Sequence, residues 1–407
     1  MRIVLYSHPA FLESGLSLAK ELSRTAEVHL LLEVAPESWR SASFDLEPLD
    51  LAPGLHPADP ILSGRFPDQA RAYWRDLASF TLVVHARRRA VHPGSIRVTN
   101  DAVQYIERLD PDILHIDDPD VSPRLALGIR THVWRRKIPI VLSVHDPHPH
   151  LGEEHRRKAI ARRLLFPRIA RFVLHSGALL EPFVEQHGLD RRRVSVIPLG
   201  IYRFYEAWSS STAVAGAHRI VFFGRLSEYK GLRVLYEALP SVAGRVPGLE
   251  VDVAGQPVPG YRLPPPPVLP NGGQLRVSPE YLDNSRLTTL VQRASVTVCP
   301  YVDATQSGVI LTSLALGRPV IASAVGGLSE YVHEGHTGLL VPPSDPPALS
   351  DAIVRALLED GLLGRLHAGV LALAGGDLEW PSIGRRMTRL YEEVVDEAAR
   401  AQPLGST

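Results

Sequence analysis

The stretch Arg219–Leu232, RIVFFGRLSEYKGL, decides the fold class of this chain. Ile220, Val221, Phe222 and Phe223 form an apolar run of strand length, and Gly224 ends it with a residue that turns without steric cost. Arg225 and Lys230 follow at once, and beyond them Leu232, Leu235, Leu239 and Val242 recur at helical spacing. A strand, a turn and a helix in that order bring a helix N-terminus and two cations to the carboxyl end of a sheet, where open α/β folds hold ligands. The Arg fork and the Lys point charge both suit phosphate oxygens, so the segment predicts a diphosphate site. A solvated turn decorated with surface cations is the alternative. A P-loop is excluded, because no GKS or GKT follows a Gly-rich loop.

With 407 residues the chain exceeds a single compact core, and two α/β domains of about 200 residues each are expected. Lys and Arg number 44 against 44 Asp and Glu, so the charge balance carries no nucleic-acid signature. The single cysteine, Cys299, excludes an intrachain disulfide, agrees with a reducing compartment, and sits in an apolar strand pattern that predicts an inert core thiol. The apolar run after Met1 is too short for a signal peptide or a membrane span, so residence in the cytoplasm is expected.

Working outward, the first half alternates strand patterns at 2–6, 27–32, 80–85, 112–116, 140–145, 171–176 and 194–200 with helix patterns at 14–24, 99–109, 122–135 and 153–171. The second half restarts at 220–224 and continues with strands at 249–255, near 275, and at 296–300, 319–323 and 338–343. This alternation predicts parallel sheets covered by helices on both faces. The expected organisation is two Rossmann-like doubly wound domains facing across a cleft, residues 1–200 and 218–379. A linker at 201–217, containing SSSTAVAG, would join them, and a final helix within 380–407 would pack back on the N-terminal domain. Pro264–Pro267 forms a stiff extended excursion between two elements of the second domain.

A second constellation runs from Cys299 to Val332, CPYVDATQSGVILTSLALGRPVIASAVGGLSEYV. A strand ends at Pro300, a polar loop carries Tyr301, a candidate substrate contact, and a helix opens near Ser307 and Gly308, where free backbone N–H groups can meet an anion. Gln306 and Ser307 add neutral hydrogen-bonding groups. Gly317, Arg318 and Pro319 then lead to another strand, which ends in Gly326 and Gly327 ahead of Glu330. Taken singly these glycines read as ordinary turns. Three strand-to-helix turns of the same polar character argue for one ligand site.

Together these residues resemble a GT-B glycosyltransferase of the large retaining family 4. The resemblance rests on Gly224, Arg225, Leu226, Lys230, Gly231 and Leu232, on GRPVIA at Gly317–Ala322, on GGLSE at Gly326–Glu330, and on GHTGLLV at Gly335–Val341. It implies a nucleotide-diphosphate sugar donor held by the C-terminal domain, an acceptor held by the N-terminal domain, and transfer with retention of anomeric configuration, without a metal or other cofactor. Arg225 and Lys230 would neutralise the leaving diphosphate, helped by backbone N–H groups from Ser307 to Val309, with Gly224, Gly308, Gly326 and Gly327 lining the donor. Many members carry two glutamates where this chain has Ala304 and Thr312, and the chain instead resembles a branch reading TQSGV at Thr305–Val309. Gln306 and Glu330 are the substitutes expected for the ribose and sugar contacts.

In the N-terminal half, VHD at Val144–Asp146 follows a strand, and the resemblance carries to His145 a place beside the transferred sugar. His175 and Ser176 end another strand at the same sheet edge and are expected to line the same cleft. In SHPAFLESG, at 7–15, Glu13, Ser14 and Gly15 are candidate acceptor contacts, with helix capping by Ser14 the competing role. His145, His148, His150 and His155 raise a zinc reading, but the spacing is not that of HExxH or cysteine sites, and four histidines in an active-site loop is the preferred account. Asp110 with Asp112, and Asp118 with Asp120, imitate a D-x-D metal motif but read as solvated turns. Seven cations between Arg156 and Arg171, among Ile160, Leu164 and Leu165, form either a solvated helix face or a peripheral contact with an anionic membrane suited to a lipid acceptor. A sugar-nucleotide epimerase and a catalytically silent nucleotide-sugar-binding domain are the rival functions.

Overall fold

The computed structural model of the chain describes residues 1–38, 40–41, 44–47, 50–87, 92–117, 123–131, 133, 137–145, 147, 156–209 and 218–401. The first domain runs β1 (Arg2–Ser7), α1 (Leu12–Leu22), β2 (Glu27–Val34), a small hairpin of β3 (Arg40–Ser41) and β4 (Phe44–Asp45), β5 (Gly54–Pro57), α2 (Asp59–Leu62) and β6 (Ser79–Val84). It continues with α3 (Pro93–Leu109), β7 (Ile113–Asp117), α4 (Pro123–Thr131), β8 (Ile140–Val144), α5 (Arg156–Leu165), β9 (Arg171–Leu174), α6 (Leu180–His187) and β10 (Val194–Val196). The second domain comprises β11 (Arg219–Phe223), α7 (Leu232–Arg245), β12 (Glu250–Ala254), β13 (Gln274–Ser278), α8 (Asn284–Arg293), β14 (Val296–Cys299), α9 (Gly308–Ala315), β15 (Val320–Ser323), β16 (Gly338–Val341), α10 (Pro346–Leu358) and α11 (Leu362–Leu371). A long final helix, α12 (Trp380–Ala401), ends the described chain.

The first sheet has the order β10-β9-β8-β7-β1-β2-β6-β5, parallel throughout except for the β5 edge; the second is wholly parallel, in the order β13-β12-β11-β14-β15-β16. Both are two-domain α/β architecture of the doubly wound kind, in which strands buried on both faces read as continuous apolar runs. Side chains alternate between faces: Ile3 and Leu5 of β1 point into one core, and Val4 and Tyr6 into another. In β11, Val221 and Phe223 join the first of these cores, whereas Ile220 and Phe222 enter a separate outer core of the second domain. One apolar layer therefore runs through both domains.

Two sequence expectations change here. The linker expected at 201–217 is in part a packed element: Arg203–Trp208 form a 3-10 helix, and Tyr202, Phe204 and Tyr205 are buried. Aromatic side chains of this size bury more surface than a solvated linker would, which is what draws the segment into the shared core; residues 210–217 lie outside the described set. The loop expected to carry Glu13, Ser14 and Gly15 is the first turns of α1, whose N-cap is Phe11. Ser14 is no cap; its hydroxyl donates to the Phe11 carbonyl at 2.9 Å. Gly15 is buried inside the helix, where an added Cβ would come within 3.0 Å of Ser7 Oγ.

Helix α12 lies along α1 of the first domain. Its Trp380 indole donates to the Ile201 carbonyl at 2.8 Å and occupies the space beside Gly200, where an added Cβ would stand 2.6 Å from the ring. Glu397 accepts from the buried Arg171 guanidinium at 2.8 Å. Among the described residues no helix is long and apolar enough to cross a membrane.

Candidate active site

In the second sheet the strand order reverses between β11 and β14, so the turns after these strands flank the crevice where such sheets bind ligands. Gly224, at φ +100°, ends β11. An added Cβ there would lie 2.9 Å from both Lys230 Nζ and Val309 Cγ2, so the ammonium stands over the Gly224 backbone beside the first turn of α9. Lys230 is buried, with its Nζ 5.2 Å from the centre of the Tyr301 ring, while Arg225 is exposed. Ser307 is the N-cap of α9, its hydroxyl accepting from the Ile310 amide at 3.4 Å. The expectation of Tyr301 as a substrate contact is corrected: the side chain is buried and accepts a hydrogen bond from Ser307 Oγ at 3.3 Å, so it supports the cation and the cap from below. Gly326, at φ +53°, lets the turn after β15 approach so closely that an added Cβ would lie 1.7 Å from the Ala304 carbonyl oxygen.

The facing edge of the first domain is built from titratable side chains. Asp117, at the end of β7, accepts from Ser7 Oγ at 2.6 Å and lies 3.5 Å from His145 Nε2. His145 follows β8, stacks on Phe11 with ring centres 3.8 Å apart, and lies 4.7 Å from the His175 ring. Its Nδ1 accepts from Gln306 Nε2 at 3.0 Å, a bond that crosses from one domain to the other. Burial pushes the Asp117 carboxyl up, but His145, His115 and Ser7 outweigh it and hold the group below its ordinary value. Burial, with the neighbouring His145, depresses His115 to about 4 and His175 to about 3. His115 is held between Ser143 Oγ, at 2.9 Å, and the Tyr391 hydroxyl of α12.

Glu330 departs from its expected use. Its carboxylate accepts from Ser176 Oγ at 2.6 Å and from the amides of Gly177 and Ala178 at 3.2 and 3.1 Å, so it clasps the first domain rather than standing open to a ribose. These amides begin a short 3-10 helix and lack internal partners, which makes a carboxylate their natural acceptor. Beside the clasp, Tyr331 donates to the His175 carbonyl at 2.9 Å.

Residues 16–202 match the family described as Glycosyltransferase Family 4, and residues 217–360 match the family described as Glycosyl transferases group 1. A D-inositol 3-phosphate glycosyltransferase of Corynebacterium urealyticum is 29% identical over 301 residues, covering 65% of this chain and 69% of that protein. A phosphatidyl-myo-inositol mannosyltransferase of Mycobacterium leprae is 28% identical over 215 residues, 51% of this chain and only 55% of the relative's length. Anabaena HepE in complex with UDP-glucose superposes over 97% of this chain and 100% of that one, with a TM-score of 0.65 and 16% identity. The trehalose 6-phosphate synthase of Burkholderia multivorans superposes over 100% and 99% with a TM-score of 0.64 and 14% identity. The chain belongs to the GT-B glycosyltransferases.

In this glycosyltransferase the positions of the two family glutamates, Ala304 and Thr312, are both buried. The Asp110 and Asp112 pair lies at the opposite end of the first sheet, where Asp112 accepts from the Arg2 amide at 2.7 Å and Asp110 caps α3 in a left-handed conformation. Asp118, Asp120, His148, His150 and His155 lie outside the described residues. Of the basic helix, Arg162 donates to the Pro147 carbonyl at 2.9 Å and so steadies the segment after His145. Cys299 is fully buried, which pushes its thiol up to about 12. Sequence reasoning missed Asp117, Ser7 and Phe11. The available signal was positional: Ser7 and Asp117 end β1 and β7, the neighbouring strands at which the first sheet reverses its order.

Proposed function

We propose that the protein transfers a sugar from a nucleotide-diphosphate donor to an acceptor hydroxyl, with retention of anomeric configuration and without a metal. The observation that carries this reading is the buried Lys230 ammonium held over Gly224 beside the N-terminus of α9, where Gln306, next to the Ser307 cap, bonds to His145 of the first domain. A diphosphate in that crevice meets Lys230, the exposed fork of Arg225 and the free N–H groups of Gly308 and Val309. As the bond between the anomeric carbon and the phosphate oxygen breaks, its electron pair goes to the diphosphate, and these groups stabilise the charge that develops. Asp117 Oδ2 accepts from Ser7 and Glu330 accepts from Ser176, and neither carboxylate acts as a nucleophile in this reading. The acceptor oxygen then attacks on the face the diphosphate has left, its proton passing to a diphosphate oxygen. His145 holds the Gln306 side chain through Nδ1, and Gln306 Oε1, buried without a partner, can accept from a sugar hydroxyl.

The acceptor is read as a sugar-containing molecule or a lipid headgroup, the latter reached through the basic helix α5 with its exposed Ile160. Sedimentation with anionic vesicles separates the two, since retention in the supernatant removes the membrane surface. The donor is tested by thermal shift and slow hydrolysis with UDP-, GDP-, ADP- and TDP-sugars. A stabilised protein that turns over one of them supports transfer, whereas tight binding with no turnover points to a nucleotide-sugar-binding protein, a role that the residues at 304 and 312 favour.

A further inference from the structure

Behind His145, on the side away from Gln306, lies a partly enclosed cavity of about 20 Å³. Its polar wall comes from Asp117, Ser143, His145 and His175, and its apolar wall from Trp380, Ile383 and Met387 of α12. Two ring nitrogens on this wall, His145 Nε2 and His175 Nε2, are buried without a hydrogen-bond partner. Native interiors rarely leave two such groups unsatisfied side by side. A single water needs about 10–15 Å³ and two to four polar partners, and this cavity supplies both.

The hydrogen-bond inventory fixes each proton. Gln306 donates to His145 Nδ1, so the His145 proton is on Nε2 and points to the cavity. His175 donates from Nδ1 to the Ile197 carbonyl at 2.9 Å, so its Nε2 carries a lone pair. Burial keeps His175 neutral. Asp117 Oδ2 is taken by Ser7, and Oδ1, 3.5 Å from His145 Nε2, has room for one more donor. We propose that this cavity is a water site, in which one water accepts from His145 Nε2 and donates to His175 Nε2 and Asp117 Oδ1, and that His175 thereby acts as a positioning residue for His145. If Gln306 contacts the transferred sugar, as the proposed function has it, His175 and the water keep the proton on His145 Nε2 and so leave Nδ1 to accept from the Gln306 amide and orient it. Helix α12 supplies the apolar wall of the site through Trp380, Ile383 and Met387.

The test is ¹⁵N–¹H correlation of the histidine rings at neutral pH, with His145 assigned through its loss in His145→Gln, alongside a high-resolution crystal structure of the wild type. The expected spectrum has His145 as one tautomer, protonated at Nε2, and the crystal shows one ordered water within hydrogen-bond reach of both Nε2 atoms. His175→Leu, which removes the acceptor, is expected to give a mixture of His145 tautomers. His175→Gln, which keeps an acceptor oxygen, is expected to restore the single form and carries the test if the leucine variant does not fold. An empty cavity in the crystal, an unchanged His145 spectrum in His175→Leu, or a mixed one in His175→Gln would each overturn the assignment. The spectrum is read without a sugar donor, so its outcome is independent of whether the protein transfers glycosyl groups.

Discussion

At the carboxyl edge of the second sheet the surface offered to a ligand is mostly backbone, whereas at the facing edge of the first sheet it is mostly side chain. Gly224 and Gly326, both at positive φ, pack their backbone against Lys230 and the Ala304 carbonyl, and Lys230 is the buried charge among them. Opposite them the buried His115, His145 and His175 crowd together with the half-buried Asp117, each holding a neighbour in place. Amides fixed by backbone geometry need no titration to bind an anion. A cluster of imidazoles and a carboxylate carries a protonation state that folding itself must maintain.

The largest effect expected to expose this difference is on stability in acid. His115 and His175 sit at about 4 and about 3 in the folded protein against an ordinary value near 6.5. Below pH 6.5 the unfolded chain therefore binds more protons than the folded one, and stability is lost as pH falls. Asp117, held low by its partners, adds in the same direction further into acid. Each histidine is expected to cost about 2 kcal/mol by pH 5. Denaturant titrations at pH 8 and pH 5 check this, and coincident midpoints would mean that the first-domain edge is not held neutral by burial.

Next in size, Lys230→Ala should lower turnover of the nucleotide-sugar donor about a hundredfold with the fold retained, the scale of losing one charge partner of a developing anion. Full activity in that variant would show that the second-domain edge works through its backbone alone. Gln306→Leu should cost about 1 kcal/mol, roughly fivefold in turnover, because the one side-chain bond from the second domain to His145 is removed. A larger drop than Lys230→Ala would reverse the assignment of the dominant edge. The smallest effect is expected from Glu330→Gln, at about twofold in rate, since the residue is exposed. Its signature is geometric: small-angle scattering of the unliganded variant should give a larger radius of gyration, and an unchanged radius would mean that Glu330 does not hold the domains together.

Legibility in the sequence follows the same division. The second-domain edge was readable because glycine at a strand end, a cation at fixed offset and Ser307 ahead of an apolar helix are local patterns with local causes. At the first-domain edge His145 and His175 were found from the strands they end, while Asp117 was passed over beside Asp118 and Asp120, and Phe11 gave no signal. Glu330 was read as a ligand group because its partners, Ser176 to Ala178, come from the other domain. Nothing near Tyr391 announces that it closes on His115, 276 residues earlier in the chain.

Alternating strand and helix periods and the turn at Gly224 were enough to determine a two-domain α/β protein, because side-chain periodicity and backbone handedness are properties of neighbouring residues. Only the tertiary structure decided that Tyr202, Phe204 and Tyr205 are core rather than linker, that Glu330 is a clasp, and that His145 and His175 share a cavity under α12. Those outcomes depend on which buried donor meets which acceptor once the domains close, and such pairing is set by distance in space rather than along the chain.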